Sequence, residues 1–516
     1  MNPTKEQVSI NTVVANRRNL IVQAGAGTGK STTLRYLAQV NPERNFLVLC
    51  FNSANAVESN EHEDKPKNIF YSTLHSIAYR DVVDAKMRKK LMPYLNFKDL
   101  PDNLFLDAGL VFGKDARDEK DIVLKLRKGV QEAVTLYCRS DSNNLLRHAK
   151  DYFAHVFNNN EVIMQDADLG AVKEKSTTLS EDQQVQLAEI TRNYWLSMID
   201  SGTPTNISHD VYLKLYQLRG HSISSYYDKL SKREVDINVL CMDEAQDTNP
   251  VASAIFDASN LKKVIVGDSM QQLYAWRGAG DMMTSYNHFE KEQLSVSFRF
   301  NDTIASMANV VLGKAGSDMQ LEGNSTRTEI NTRAILCRTN STVIATIFDL
   351  IQNNPQIKIK TNIDFKDIVS KLYHINACWF NQTPKFPNKS LKAITNKAEL
   401  QEALELSPEI AKLSNLQQQI ASYSSLSEGI KTIQNALTDD DNIAYCTIST
   451  IHKSKGLEWD EVRINEDFLP YKEEEGYDVD GMWENHEQLC MLYVAITRAK
   501  VKCNLPSYLD CHFLIN

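Results

Sequence analysis

Two short segments hold the residues best suited to chemistry. The octapeptide Ala24-Gly25-Ala26-Gly27-Thr28-Gly29-Lys30-Ser31 follows an apolar run, Leu20-Ile21-Val22, that reads as a strand, and residues 32–38 after it read as a helix. Glycines at this spacing let backbone N–H groups face phosphate oxygens, a lysine neutralises the β- and γ-phosphates, and a hydroxyl can ligate magnesium. Ala24 to Thr32 would form the cradle, with Lys30 as the phosphate cation and Ser31 as the magnesium ligand; Ala24 stands where the usual pattern has glycine. The second segment, Val239-Leu240-Cys241-Met242-Asp243-Glu244, is an apolar run ending in two acids. This suits a buried parallel strand whose carboxyl end faces a ligand crevice, with Asp243 holding the metal and Glu244 taking a proton from the attacking water. Either segment alone admits a plainer reading, a glycine-rich turn or a helix start where acids suit the dipole. Together they imply hydrolysis of a nucleoside triphosphate, with ATP and Mg2+ as the expected cofactors.

These residues need parallel strands behind them, and a third run, Val264-Ile265-Val266-Gly267-Asp268, supplies another strand ending in an acid. Gln271, Gln272, Tyr274, Trp276 and Arg277 follow it. A simple phosphate-transferring kinase has no use for that polar and aromatic cluster beside its γ-phosphate.

The motifs then occur in an ordered set that resembles superfamily 1 DNA helicases of the UvrD/Rep type. Glu6-Gln7 is similar to the segment carrying the family's adenine-reading glutamine. Asp243-Glu244-Ala245-Gln246-Asp247 and the run from Gly267 to Ala279 resemble its second and third motifs. Ser297-Phe298-Arg299-Phe300 resembles the fourth, residues 449–459 the fifth and residues 492–500 the sixth. Residues 72–78 and 208–216 resemble the helicase portion of the F-box DNA helicases more than UvrD itself; with a motor reading that starts at residue 1, no F-box is expected ahead of it.

The resemblance implies two RecA-like P-loop motor domains, an α/β fold of parallel sheets flanked by helices with mostly helical inserted subdomains. It implies Gln7 and Phe298 on adenine, Glu458 on the nucleotide sugar, Arg299 and Arg498 on the γ-phosphate, and Gln271 linking phosphate to the DNA track. Phe51, Tyr274 and Trp276 become stacking candidates, and Asn52, His75, Arg338 and His452 backbone contacts. Tyr493, inside an apolar helical run, reads as packing.

The first motor domain is expected over residues 1–80 and 205–295, with an accessory insertion at 81–204, and the second over 296–370 and 443–516, with a short insertion at 371–442. Residues 120–128 read as an amphipathic helix, residues 140–144 and 173–178 as loops, and residues 398–422 as helix interrupted at Ser407-Pro408. The acidic runs 439–441 and 473–475 read as solvated loops.

At 516 residues the chain exceeds one core, and 42% hydrophobic with 24% charged residues is globular composition. The net charge of -9 counts against a uniformly basic nucleic-acid binder and leaves room for a local positive groove. The nine cysteines form no C-x-x-C pair, which points away from zinc and toward a reducing compartment. With no signal-peptide core and no long apolar stretch, a cytoplasmic location is expected, nuclear in a eukaryote, without a membrane partner.

The resulting expectation is an ATP-dependent translocase on single-stranded DNA that unwinds tailed or forked duplexes with 3′ to 5′ polarity. The competing expectation is a DNA-stimulated ATPase that strips proteins from DNA or regulates a partner such as a nuclease or recombination protein.

Overall fold

The computed structural model describes residues 3–92, 95, 99–110, 116–158, 162–166, 170–174, 179–273, 280–382, 384–385, 388, 390–391, 394–423, 425–472 and 476–513. The chain divides into two compact units. The first comprises Met1–Ala24, Gly29–Asn160 and Lys175–Leu294; the second comprises Gly25–Thr28, Glu161–Glu174 and Ser295–Asn516. Among the described residues, no helix is long and apolar enough to cross a membrane.

The first unit is built on a six-stranded sheet in the order Glu290–Leu294, Leu20–Ala24, Lys262–Gly267, Val239–Met242, Phe46–Leu49, Ile69–Ser72. Every pairing in it is parallel. The apolar runs follow from burial on both faces: Leu20 and Val22 belong to one hydrophobic cluster with Leu34, Leu37 and Val48, while Ile21, Leu47 and Leu49 belong to another. Successive side chains of a strand point to opposite faces, so the strands covered on both faces are largely apolar, whereas Glu290–Leu294 at the sheet's edge is polar and buries Leu294.

The larger cluster does not stop at the sheet. It continues from Ile21 and Leu240 through Val130, Phe153 and Leu187 on the helices Ala116–Arg139, Leu145–Asn158 and Glu181–Ile199, all inside the expected insertion. The amphipathic reading of residues 120–128 lies within the 24-residue helix Ala116–Arg139, whose Val123 and Leu126 face are buried. One expectation fails here. Residues 173 and 174, read as loop, end the strand Gly170–Glu174, which pairs antiparallel with Val162–Asp166; residues 175–178 lie outside the described set. The polar side chains there mask a ladder of backbone hydrogen bonds, which composition does not register. A second hairpin, Ser225–Asp228 with Arg233–Asp236, was not expected either.

The second unit has a five-stranded parallel sheet in the order Ile359–Thr361, Cys446–Thr450, Arg333–Cys337, Trp459–Ile464, Ala499–Asn504. Its short insertion packs on the same core: Ile375, Leu400, Ile420 and Ile430 cluster with Ile344, Ile359 and Ile448. The expected break is present, because Lys397–Leu406 ends before Ser407 and Pro408 opens the next helix, Pro408–Tyr423. Proline lacks the donor an interior turn needs but is tolerated in the first turn. Residues 439–441 are exposed outside any helix or strand, and residues 473–475 lie outside the described set.

A core shared between sheet and inserted helices should melt as one. Phe153→Ala, at a fully buried position, is expected to cost about 3–5 kcal/mol. It should lower the denaturant midpoint of the sheet as well as that of the insertion, read by circular dichroism together with fluorescence of Trp195.

Candidate nucleotide and strand sites

Parallel pairing gives the first sheet a single functional edge. Ala24, Leu49, Ser72, Met242 and Gly267 are the last residues of five parallel strands, so the segments following them emerge at the carboxyl edge where ligands bind in open α/β sheets. Lys30, Phe51, Asn52, His75, Asp243, Glu244, Asp268 and Gln271 all follow these ends within a few residues.

After the first strand the chain turns into the helix Lys30–Val40 through Gly29, which sits at φ 83°. That left-handed conformation suits glycine. Lys30 Nζ lies 3.9 Å from Glu244 Oε1. Glu244 itself has φ 52° and ψ 44°, a conformation costing a non-glycine residue about 1–3 kcal/mol and concentrated at functional sites. Burial, and then the neighbouring Glu244 carboxylate, push Asp243 up to about 7 against the opposing pull of Lys30. The crowded carboxylates, together with the hydroxyl that Ser31 carries directly after Lys30, are the oxygen donors a hard dication prefers, and Lys30 supplies a cation for phosphate. The residues present therefore fit a magnesium nucleotide.

A hydrogen-bonded chain holds Glu244 in place. Gln246, fully buried, donates from Nε2 to Glu244 Oε2 at 2.6 Å, and its Oε1 accepts from the Asp268 amide at 3.0 Å. Asp268 Oδ2 in turn accepts from Gln271 Nε2 at 2.7 Å. Gly267 makes this approach possible, since a Cβ there would lie 2.6 Å from Gln246 Oε1 and 3.2 Å from the Ala245 amide nitrogen. Sequence reasoning quoted Gln246 within its motif and gave it no role; its place directly after the two acids was the available signal. Gln7 is buried, donates to Thr33 Oγ1 at 3.0 Å and closes a capping box with Thr4.

On the same edge, Phe51, Asn52, Thr73, His75, Tyr79 and Tyr212 line a cavity of about 520 Å³ with His209 and Lys229. Phe51 is 52% exposed, as a stacking surface requires. Asn52 caps the helix Ser53–Glu61 by accepting from Asn55 N. Asp210 anchors His75, Nε2 to Oδ1 at 3.5 Å, and also takes Arg139 Nε at 3.1 Å. Burial alone would raise the Asp210 carboxyl, but the His75 hydrogen bond and the Arg139 charge outweigh it and hold it below the usual carboxylate range. Tyr79, His209 and Tyr212 were missed as lining residues, although residues 208–216 had been singled out. Tyr274 and Trp276 lie outside the described residues.

The second unit separates its candidates between the two edges of its sheet. Arg338 and His452 follow the carboxyl ends of Arg333–Cys337 and Cys446–Thr450, whereas Glu458 and Arg498 immediately precede Trp459–Ile464 and Ala499–Asn504. Arg299 Nε lies 2.7 Å from Glu458 Oε2, and Lys500 Nζ lies 2.7 Å from Glu458 Oε1. Burial raises the Glu458 carboxyl, yet the Lys500 hydrogen bond and the Arg299 charge bring it below its ordinary value. Two residues expected to touch different parts of a nucleotide are thus paired with each other. Arg498 is 1% exposed, with its guanidinium on the Val494 and Leu457 carbonyls and Thr497 Oγ1. Arg338 also turns inward, donating to the Phe468 carbonyl at 2.8 Å, rather than standing out toward a strand. Phe298 is 51% exposed, and Tyr493 is fully buried.

Two parallel α/β sheets, the first with a phosphate loop opposed by paired acids, define a P-loop motor protein. Residues 4–293 match the UvrD/REP helicase N-terminal domain and residues 382–506 the UvrD-like helicase C-terminal domain, so the chain belongs to the UvrD/REP helicase family. It is 26% identical to F-box DNA helicase 1 of Gallus gallus over 549 residues, covering 99% of this chain and 49% of that one. It is 27% identical to F-box DNA helicase protein 1 of Schizosaccharomyces pombe over 529 residues, covering 93% and 54%. ATP-dependent DNA helicase PcrA of Leuconostoc citreum is 24% identical over 330 residues, covering 57% and 37%. The chain spans about half the length of the F-box relatives it matches.

Two outcomes test this geometry. Gln246→Ala should lower kcat for ATP hydrolysis by about tenfold or more with KM little changed, because it releases the group that orients Glu244 and leaves phosphate binding alone. For Asp210 the sign follows from its depressed folded-state value: its stabilisation is present above the unfolded carboxylate range and is lost as pH falls through the folded value. Asp210→Asn should therefore cost about 1 kcal/mol at neutral pH, and urea titrations in acid should show the two proteins converging.

Proposed function

We propose that this chain is an ATP- and magnesium-dependent translocase on single-stranded DNA that unwinds tailed or forked duplexes in the 3′ to 5′ direction. One observation carries the reading: the acids facing Lys30 and the cavity at Phe51 and His75 stand on the same edge of one parallel sheet, and Gln246 ties Glu244 to the strand end that leads to Gln271. A motor needs its phosphate chemistry and its grip on a strand to share a rigid support.

Ser31 and Asp243 are the residues we assign to hold magnesium, which would neutralise phosphate charge when bound. Lys30 draws charge off the phosphates within the cradle from Ala24 to Thr32. Glu244, fixed by Gln246, takes the proton of the attacking water. Gln7 and Phe298 are assigned to adenine and Glu458 to the sugar. Arg299 and Arg498 are assigned to the charge that develops on the γ-phosphate; Arg299 must first leave Glu458, and Arg498 its two carbonyls. On the strand, Phe51, Tyr274 and Trp276 stack on bases, while Asn52, His75, Arg338 and His452 meet the backbone. Stacking is worth roughly 1–3 kcal/mol per base and tolerates any sequence. The motor is proposed to occupy residues 1–80 with 205–295, and 296–370 with 443–516, around the insertions at 81–204 and 371–442.

Strand displacement on 3′- and 5′-tailed duplexes, with ATP and magnesium, tests the polarity: the 3′-tailed substrate is expected to open and the 5′-tailed one to stay closed. Lys30→Ala should abolish hydrolysis stimulated by oligothymidylate while strand binding persists. Hydrolysis that ignores the strand would remove the motor reading, and stimulated hydrolysis without displacement would leave a DNA-sensing ATPase that acts on bound proteins or through a partner.

A further inference from the structure

Two buried donors behind the phosphate loop lack an acceptor. Tyr71 is 2% exposed, and among the described residues neither its hydroxyl nor the buried Nε of Arg35 has a hydrogen-bond partner. The Arg35 guanidinium reaches Thr32 Oγ1 through Nη2 at 3.3 Å, which leaves Nε unspent. Folded proteins keep few such donors dry, and a buried water is the usual remedy.

Strand register brings both donors toward Asp243. Val48 pairs with Tyr71 on one side and with Cys241 on the other, so all three side chains share the face on which the helix Lys30–Val40 packs through Leu34, Leu37 and Ala38. Asp243 lies two residues beyond Cys241, its amide still bonded to the Leu49 carbonyl at 3.0 Å, and so continues that face toward the carboxyl edge. From the helix side, Arg35 stands four residues after Ser31, the spacing that puts two side chains on one face. The charges agree with this placement: burial raises the Tyr71 hydroxyl, the Arg35 guanidinium draws it back, and the Asp243 carboxylate raises it again.

We infer that Tyr71 and Arg35 hold an internal water that accepts from the Tyr71 hydroxyl and from Arg35 Nε and donates to the Asp243 carboxylate, which makes both of them positioning residues for the metal. Two hydrogen bonds accepted and one donated are the three that a buried water typically makes. Asp243 is otherwise fixed on one side alone, where Oδ1 accepts from the Glu244 amide at 3.0 Å. Groups that support a ligating carboxylate from behind set its aim, and losing one typically costs about ten- to hundredfold in metal affinity or activity. The inference rests on the magnesium reading of Ser31 and Asp243 and adds to it what keeps the carboxylate directed.

The test uses the full chain with ADP and takes manganese as the probe for magnesium, its free concentration read by electron paramagnetic resonance. Tyr71→Phe removes the hydroxyl and keeps the ring; it is expected to weaken manganese binding by about tenfold, with a matching rise in the magnesium concentration that half-saturates ATP hydrolysis. In an Arg35→Met background the same substitution should add less than about twofold, because the shared water is already lost. A hydroxyl with a structural role alone would move the urea midpoint and leave manganese affinity where it was. That outcome overturns the proposal, and so does full additivity of the two substitutions. Asp243→Asn separates this inference from the reading beneath it. If Asp243→Asn binds manganese as tightly as the wild type, the magnesium assignment falls and takes this proposal with it; if it loses the ion while Tyr71→Phe matches the wild type, this proposal alone falls.

Discussion

Parallel pairing of the first sheet is the constraint on which the rest depends. All six strands run so that their carboxyl ends share an edge, and both the phosphate loop and the paired acids hang from that edge. The cost is that the inner strands must be apolar on both faces, which two separate hydrophobic clusters satisfy. Because the larger cluster runs on into the helices of the insertion, the accessory helices are part of what keeps the edge in register.

On that edge the chemistry is held under strain and by hydrogen bonds that leave little slack. Glu244 occupies a left-handed conformation that its side chain gains nothing from by itself. The short bond from Gln246, itself buried and held by the Asp268 amide, helps fix the carboxylate that the strained backbone presents to Lys30. Gly267 admits this bond because no Cβ stands in the way. Backbone strain, a buried amide and an absent methyl group are thus one device seen from three residues.

The second unit shows a different economy. Glu458 and Arg498 precede strands at the amino edge of its sheet, and there Glu458 pairs with both Arg299 and Lys500 while Arg498 is buried on carbonyls. Guanidinium groups kept on internal oxygens recover through hydrogen bonds part of what their desolvation costs. The engagement with a nucleotide proposed for Arg299 and Arg498 is then an exchange of partners, and its energy is a difference between two states in which the guanidinium groups are paired.

By itself the sequence determined the local elements and the chemical inventory. The phosphate loop between strand and helix, the acids ending Val239–Met242, and the break at Pro408 all follow from short-range rules: glycine at positive φ, apolar runs buried on both sides, a proline without a donor. Fold class was legible for the same reason, since apolar runs ending in acids or glycines allow few arrangements besides a parallel sheet. Tertiary structure decided what depends on residues far apart in the chain. Only packing brings Asp210 to His75 across 134 intervening positions, aims Gln246 at Glu244 rather than at solvent, turns Arg338 inward, and pairs residues 170–174 with residues 162–166. Backbone pairing and side-chain partners are set by what lies across a gap in space, and residue type and spacing carry no record of that distance.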